Sequence, residues 1–218
     1  YRESLETVLL LFEEWRKNRP PFLALVSQIG YLDKFIKAGR KDEAFKIVDE
    51  IRAQAAPPFD QLVSLADLLI YTMLEDIEKA AAALETVDSV PLAPEIENNR
   101  PAIAYYRGRV HELKEEYGQA IDAYGEFLEA RPTEAAVGLA RSYRKLKEYK
   151  KAEAYLQKCL KSNPFDPEIH DELSRVYVET KDTKKAMEHL NIAVGVWTNA
   201  DPGIPEVEDA RKRLAALK

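Results

Sequence analysis

Apolar residues recur along this chain every three or four positions, which is the spacing of one face of an α-helix. Near the start, one such face consists of Leu5, Val8, Leu9 and Phe12. We expect residues 1–20 to form an amphipathic helix that ends at Pro20, where a second proline follows. The chain therefore opens on a pattern typical of helices rather than strands.

The helical pattern returns three times in the second half of the chain. Three segments align without gaps on Ala120, Ala152 and Ala186, which lie 32 and 34 residues apart. A small residue stands twelve positions before each alanine and a ring nine positions before it: Gly108, Ala140 and Ser174, then His111, Tyr143 and Tyr177. In paired helices the small residues allow close approach, and the ring fills the space beside them. The spacing predicts three helix hairpins.

Prolines mark the ends of these segments. Pro132 and Pro164 follow the first two alanines by twelve residues, and proline biases the preceding residue away from α geometry. We expect each to stop one hairpin before the next begins. The whole pattern resembles the tetratricopeptide repeat, a helix-turn-helix unit of about 34 residues. The resemblance implies an all-α, right-handed superhelical solenoid.

A weaker form of the pattern lies upstream, where two more alanines each follow a ring by nine residues. These pairs are Phe35 with Ala44 and Tyr71 with Ala80. Gly39 stands where the first of these hairpins should turn, and the prolines of residues 91–94 predict a loop before the clear repeats. Two degenerate repeats are therefore expected here.

These observations predict a single domain over residues 1–218 with about five repeats. It would consist of the N-terminal helix (1–20), two degenerate repeats (21–98), three clear repeats (101–201) and a C-terminal capping helix (203–218) that Pro205 opens. The N-terminal helix is either a cap or the second helix of a truncated repeat. Because the chain does not begin with Met, we expect it to be a piece of a longer protein.

Composition agrees with helices, since Gly is scarce and 32% of the residues are charged. A net charge of −6 argues against a nucleic-acid binder, which needs a basic surplus. The apolar stretch from Thr7 to Phe12 is much shorter than the roughly 20 residues of a membrane span. The compartment stays open, with the cytoplasm slightly favoured because Cys159 is the only cysteine.

The chain carries few groups suited to catalysis. Its three histidines are too scattered for the usual metal spacings, and no phosphate-binding glycine motif occurs. Cys159 falls where the repeat expects a small buried residue, and we interpret it as a packing residue rather than a nucleophile. We expect no enzymatic activity, no metal and no cofactor.

One set of residues favours binding. Each clear repeat carries an arginine eleven positions before its alanine: Arg109, Arg141 and Arg175. The resemblance implies that this register faces the concave groove, where related proteins hold peptides. Arg144, Lys145 and Tyr105 would widen this basic surface. The resulting hypothesis is a protein-interaction scaffold that binds an acidic or extended segment of another protein.

Other interpretations stay open. Each arginine could instead pair with a carboxylate of its own array, such as Glu112, Glu134 or Asp171. The apolar residues of the N-terminal helix favour a homodimer or a spacer element: Leu9, Leu10, Phe12 and Trp15. In a third interpretation, residues 196–214 resemble the end of repeat arrays in bacterial signalling proteins, which implies a regulatory tail.

Overall fold

The computed structural model describes residues 29, 32–36, 39–55, 60–94, 97, 100–199 and 204–217. These residues form α-helices joined by short connections, and no strand occurs among them. The chain divides between Tyr106 and Arg107 into two compact units. The expected helix over residues 1–20 lies outside the described residues and stays a prediction, as does the single domain over residues 1–218.

The first unit contains a helical segment over residues 32–36 and then three longer helices. These are α1 (Lys41–Gln54), α2 (Gln61–Met73) and α3 (Ile77–Ser89). Helices α2 and α3 form an antiparallel hairpin, and α1 packs against α2. The loop over residues 91–93 is held by Gln61, whose side chain donates to the Pro91 carbonyl and accepts from the Ala93 amide.

Helix α4 (Arg100–Leu113) crosses the division, and six further helices belong to the second unit as described. They are α5 (Tyr117–Phe127), α6 (Pro132–Lys145), α7 (Tyr149–Leu160), α8 (Pro167–Glu179), α9 (Thr183–Val196) and α10 (Pro205–Ala216). Helices α6 with α7 and α8 with α9 form hairpins, and α6 also packs against α8. The first helices of successive hairpins are therefore neighbours.

The aligned alanines occupy equivalent places in the hairpins. All five have no exposed surface: Ala44, Ala80, Ala120, Ala152 and Ala186. Each amide donates to the carbonyl four residues earlier, at the residue that precedes the second helix. The register that the sequence predicts is confirmed in the degenerate repeats as well as in the clear ones.

The turn inside each hairpin repeats the same backbone geometry. Five residues before each alanine, one residue has a positive φ: Gly39 (73°), Glu75 (56°), Glu115 (60°), Lys147 (63°) and Lys181 (64°). The next amide donates to the carbonyl of the ring residue nine positions before the alanine, as Asp182 does to Tyr177 at 2.9 Å. This is the Schellman arrangement, which satisfies the last carbonyls of a helix. Only Gly39 has the residue type that this conformation favours.

Of the two prolines expected to stop hairpins, Pro132 begins a helix and Pro164 lies in a connection between helices. Pro132 is the first residue of α6, where its missing amide hydrogen costs nothing and its φ is already helical. Helix α5 has already ended at Phe127. Pro164 lies in the connection before α8, which begins at Pro167. The expectation that Pro132 and Pro164 stop each hairpin is therefore refined, because Pro132 starts the next one.

Helices of the second unit pack tightly around Tyr124 of α5, which is fully buried. A Cβ atom at Gly138 would lie 2.6 Å from the Tyr124 ring, and one at Gly108 would lie 2.7 Å away. The ring therefore fills space left by two glycines on neighbouring first helices. Its hydroxyl reaches Glu112 of α4 at 2.6 Å, so this packing fixes a charged residue of the site described below.

We predict that Gly138→Ala lowers the free energy of unfolding by about 1–3 kcal/mol, because overpacking forces the Tyr124 ring to move. Gly125 provides the control, since it lies in α5 with no atom within 4 Å of an added Cβ. Gly125→Ala should instead raise stability by about 0.5–1 kcal/mol. Urea unfolding measures both, and equal effects would contradict the proposed contact.

We also predict that Lys181→Gly raises the free energy of unfolding by about 0.5–1 kcal/mol, since glycine removes the steric cost of a positive φ. Lys158, exposed within α7, is the matched position. Lys158→Gly should lower stability by up to about 1 kcal/mol, because glycine is a poor helix former. A loss of stability at Lys181 would be incompatible with the assigned turn.

Candidate functional site

The three arginines singled out from the sequence lie on successive first helices of the second unit. Arg109 belongs to α4, Arg141 to α6 and Arg175 to α8. Their side chains keep 19%, 29% and 31% of their surface exposed. They are therefore neither buried nor fully solvated, and their carboxylate partners determine what they can do.

Glu112 joins the first two arginines. Arg109 donates to one of its carboxylate oxygens at 2.9 Å, Arg141 donates to the other, and the Tyr124 hydroxyl donates to the first. Burial alone would raise the pKa of Glu112, but the two guanidinium groups and the hydroxyl outweigh it and lower that pKa. Glu112 is therefore an ionised carboxylate that links α4 to α6.

Arg144 makes the next link along the same face. Its side chain is 10% exposed and donates to Glu172 and to Glu179 of α8, each at 2.6 Å. Burial raises the pKa of Glu172 although this guanidinium lies beside it. Arg144 thus connects α6 to α8. Because its side chain is nearly buried, it adds little exposed area to the basic surface that the sequence suggested.

Arg175 connects α8 to the last helix. It donates to Asp171 of its own helix at 3.1 Å and to Asp209 of α10 at 2.6 Å. Arg213 of α10 donates to Asp209 at 2.8 Å, to the Ser174 hydroxyl at 2.8 Å and to Asp171. Sequence reasoning missed Asp209 and Arg213. The available signal was that Asp209 follows Arg175 by 34 residues, one repeat length.

These contacts define a charged strip across the first helices α4, α6, α8 and α10. It consists of Arg109, Arg141, Arg144, Arg175 and Arg213 with Glu112, Asp171, Glu172, Glu179 and Asp209. Positive and negative side chains are thus equal in number within the charged strip. The arginines pair with carboxylates of their own array, as one interpretation of the sequence held.

The remaining candidates lie in different surroundings. Lys145, at the end of α6, is exposed and has no ion-pair partner in the part of the chain that the structure describes. Glu134 pairs with Arg131 rather than with an arginine of the charged strip. Tyr105 belongs to the first unit by the division of the chain, and its ring meets the Tyr106 ring edge-on with centroids 5.2 Å apart.

Among the residues that the structure describes, the histidines and the cysteine lie apart from the charged strip or in pairs. His170 and His189 come together on α8 and α9 with their Nδ1 atoms 2.7 Å apart, and burial and the neighbouring ring lower the pKa of His189. Among the described residues, no group of three or more His, Cys, Asp and Glu side chains is arranged to hold a metal. Cys159 is half-buried against the core, and burial raises the pKa of its thiol.

Two expectations concern membranes and self-association. No helix in the described ranges is both long and apolar enough to cross a membrane. Leu9, Leu10, Phe12 and Trp15, which favour a homodimer, lie outside the described residues.

Comparison with known proteins extends this description. Residues 133–166 match the model of the tetratricopeptide repeat family. Over 72 residues the chain is 36% identical to a BBSome complex member BBS4 homolog of Drosophila melanogaster, and the match covers 33% of this chain and 15% of that protein. The chain therefore spans a small part of the curated relative that it resembles.

Solved structures share the fold at low sequence identity. Cut9 in the APC/C hetero-tetramer Cut9-Hcn1 gives a TM-score of 0.63 at 22% identity, over 86% of this chain and 35% of that one. The type IV pilus biogenesis factor PilW gives 0.60 at 15% identity, over 88% and 92%. MamA of Desulfovibrio magneticus RS-1 gives 0.52 at 19% identity, over 81% and 97%. Residues 133–166 thus match the tetratricopeptide repeat, and the described part of the chain shares its all-α fold with these solved structures.

Proposed function

We propose that this chain is a non-catalytic scaffold that binds an acidic, extended segment of another protein along the charged strip. The fold supports a role in protein–protein interaction. Two of the similar proteins are named as members of assemblies, a BBSome complex member and Cut9 with Hcn1. The side chains of the second unit favour an acidic segment as the ligand.

The observation that carries the proposal is the presence of partly exposed arginines on three consecutive first helices. Their equal register places guanidinium groups in a row, so one extended segment can contact several of them. The Arg175–Asp209 pair is partly exposed and contributes little net free energy, so an incoming carboxylate can replace or share that partner. Arg175 retains an Nη1 group with no hydrogen-bond partner in the described part of the chain.

Buried carboxylates support the proposal by orienting the guanidinium groups. Glu112 keeps 8% of its side-chain surface exposed and Glu172 keeps 5%. They hold Arg141 and Arg144 in one arrangement before any ligand arrives, so binding loses less side-chain entropy. The exposed Lys145 adds a positive charge that no carboxylate in the described residues offsets.

These contacts determine which variants can test the proposal. Reversing Arg109 or Arg141 would leave the buried Glu112 with too few partners and would destabilise the fold. Arg175→Gln with Lys145→Gln removes two positive charges from more exposed positions. The matched control is Lys150→Gln with Lys158→Gln on α7, where both lysines are exposed on a second helix.

We predict that the Arg175→Gln, Lys145→Gln variant binds a fluorescent peptide of alternating glutamate and serine about fivefold more weakly than the unaltered chain, as expected for two exposed charge contacts. Fluorescence anisotropy at low ionic strength measures this change, and added salt should weaken binding by the unaltered chain. A peptide of alternating glutamine and serine should bind much more weakly.

The control variant should keep the affinity of the unaltered chain, because it changes the same net charge away from the charged strip. If both variants lost affinity equally, the loss would be due to the overall charge of the chain, and the placement of the site would be refuted. No binding of the acidic peptide by the unaltered chain would refute the proposed ligand class.

A further inference from the structure

Helix α10 presents a carboxylate at the position where the earlier first helices present an arginine. Asp209 follows Arg175 by 34 residues, as Arg175 follows Arg141. Because α10 continues the series of first helices, Asp209 meets Arg175 side by side, with their nearest atoms 2.6 Å apart. The charged strip therefore ends on an acidic group supplied by the chain itself.

The Arg175–Asp209 ion pair is more exposed to solvent than the ion pairs that Glu112 and Glu172 make. The Asp209 side chain is 47% exposed, whereas Glu112 and Glu172 are almost fully buried. Exposed pairs exchange partners readily, because water already screens part of their attraction. An acidic ligand would meet Asp209 at the same guanidinium that it needs for its own carboxylate.

The position of α10 does not depend on this ion pair alone. Val207, Ala210 and Leu214 are buried, and the last two pack with Leu190 of α9 in an apolar cluster that Trp197 borders. Arg213 also bonds Asp171 and Ser174 of α8. Loss of the Asp209 charge therefore leaves the helix in place, which makes the role of that charge measurable.

We infer that Asp209 is an internal competitor that occupies Arg175 and limits how tightly the charged strip binds an acidic segment. This inference rests on the proposed function and concerns its specificity. In the unaltered chain an acidic ligand gains less binding free energy from Arg175 than it would from an arginine that no carboxylate of the chain contacts. At the α10 end of the charged strip, two kinds of ligand would bind more tightly than others. One has a carboxylate that displaces Asp209, and the other has a basic residue that pairs with Asp209.

The test is the affinity of the glutamate–serine peptide for Asp209→Asn, measured by anisotropy at low ionic strength. The expected result is binding about two- to fivefold tighter than that of the unaltered chain, the range that one exposed ion pair contributes. Glu206→Gln is the matched control, since it removes an exposed negative charge from the same helix. Circular dichroism and urea unfolding verify that α10 remains folded in both variants.

The same change made in the Arg175→Gln variant tests whether Asp209 limits binding through Arg175. In Arg175→Gln, the further change Asp209→Asn should give a smaller gain than it gives in the unaltered chain. Of the two guanidinium groups that bond Asp209, only that of Arg213 then remains, and it also bonds Asp171 and Ser174. An equal gain from Asp209→Asn and Glu206→Gln would overturn the inference, and the proposed function would stand if binding still required Arg175 and Lys145. If no variant binds the acidic peptide, both the proposed function and this inference fail.

Discussion

Close contact between paired helices at small residues is the constraint on which this structure depends. Each of the five aligned alanines is fully buried at a hairpin, and the glycines at 108 and 138 leave room for the ring of Tyr124. A larger side chain at such a crossing would separate the helices, because protein interiors have little unfilled volume. The hairpins therefore exist only where these positions remain small.

The charged strip is a consequence of that packing. When hairpins stack, their first helices become neighbours, and residues of equal register face one another across each contact. The charged groups at these positions would repel or remain unpaired if all had one sign. Instead Glu112, Glu172 and Asp209 alternate with arginines from the adjacent helix, so each link between first helices carries an ion pair.

Much of the fold could be predicted from the sequence, because the alanine register and its rings depend on local helical spacing. The positions of the candidate arginines on first helices followed from the same register. Glu112 and Asp171 could be named as candidate partners, but the arginine that each contacts from a neighbouring helix could not. The meeting of Arg141 with Glu112, 29 residues away, depends on how two helices pack. The pairing of His170 with His189 could not be predicted for the same reason. Pro132 lies between two hairpins as expected, but the sequence alone did not show that it is the first residue of α6.

The turn with a positive φ sets a fixed interval within each of the five hairpins whose alanines align. Its hydrogen bonds are made by the backbone, and the positive-φ position holds Gly, Glu, Glu, Lys and Lys in order along the chain. The distance from this residue to its alanine is always five, whereas the spacing between alanines ranges from 32 to 40. The hairpins of this chain thus differ in the number of residues between successive alanines, whereas the interval inside the turn is constant. Hairpins whose side-chain consensus has eroded remain identifiable by this fixed backbone interval.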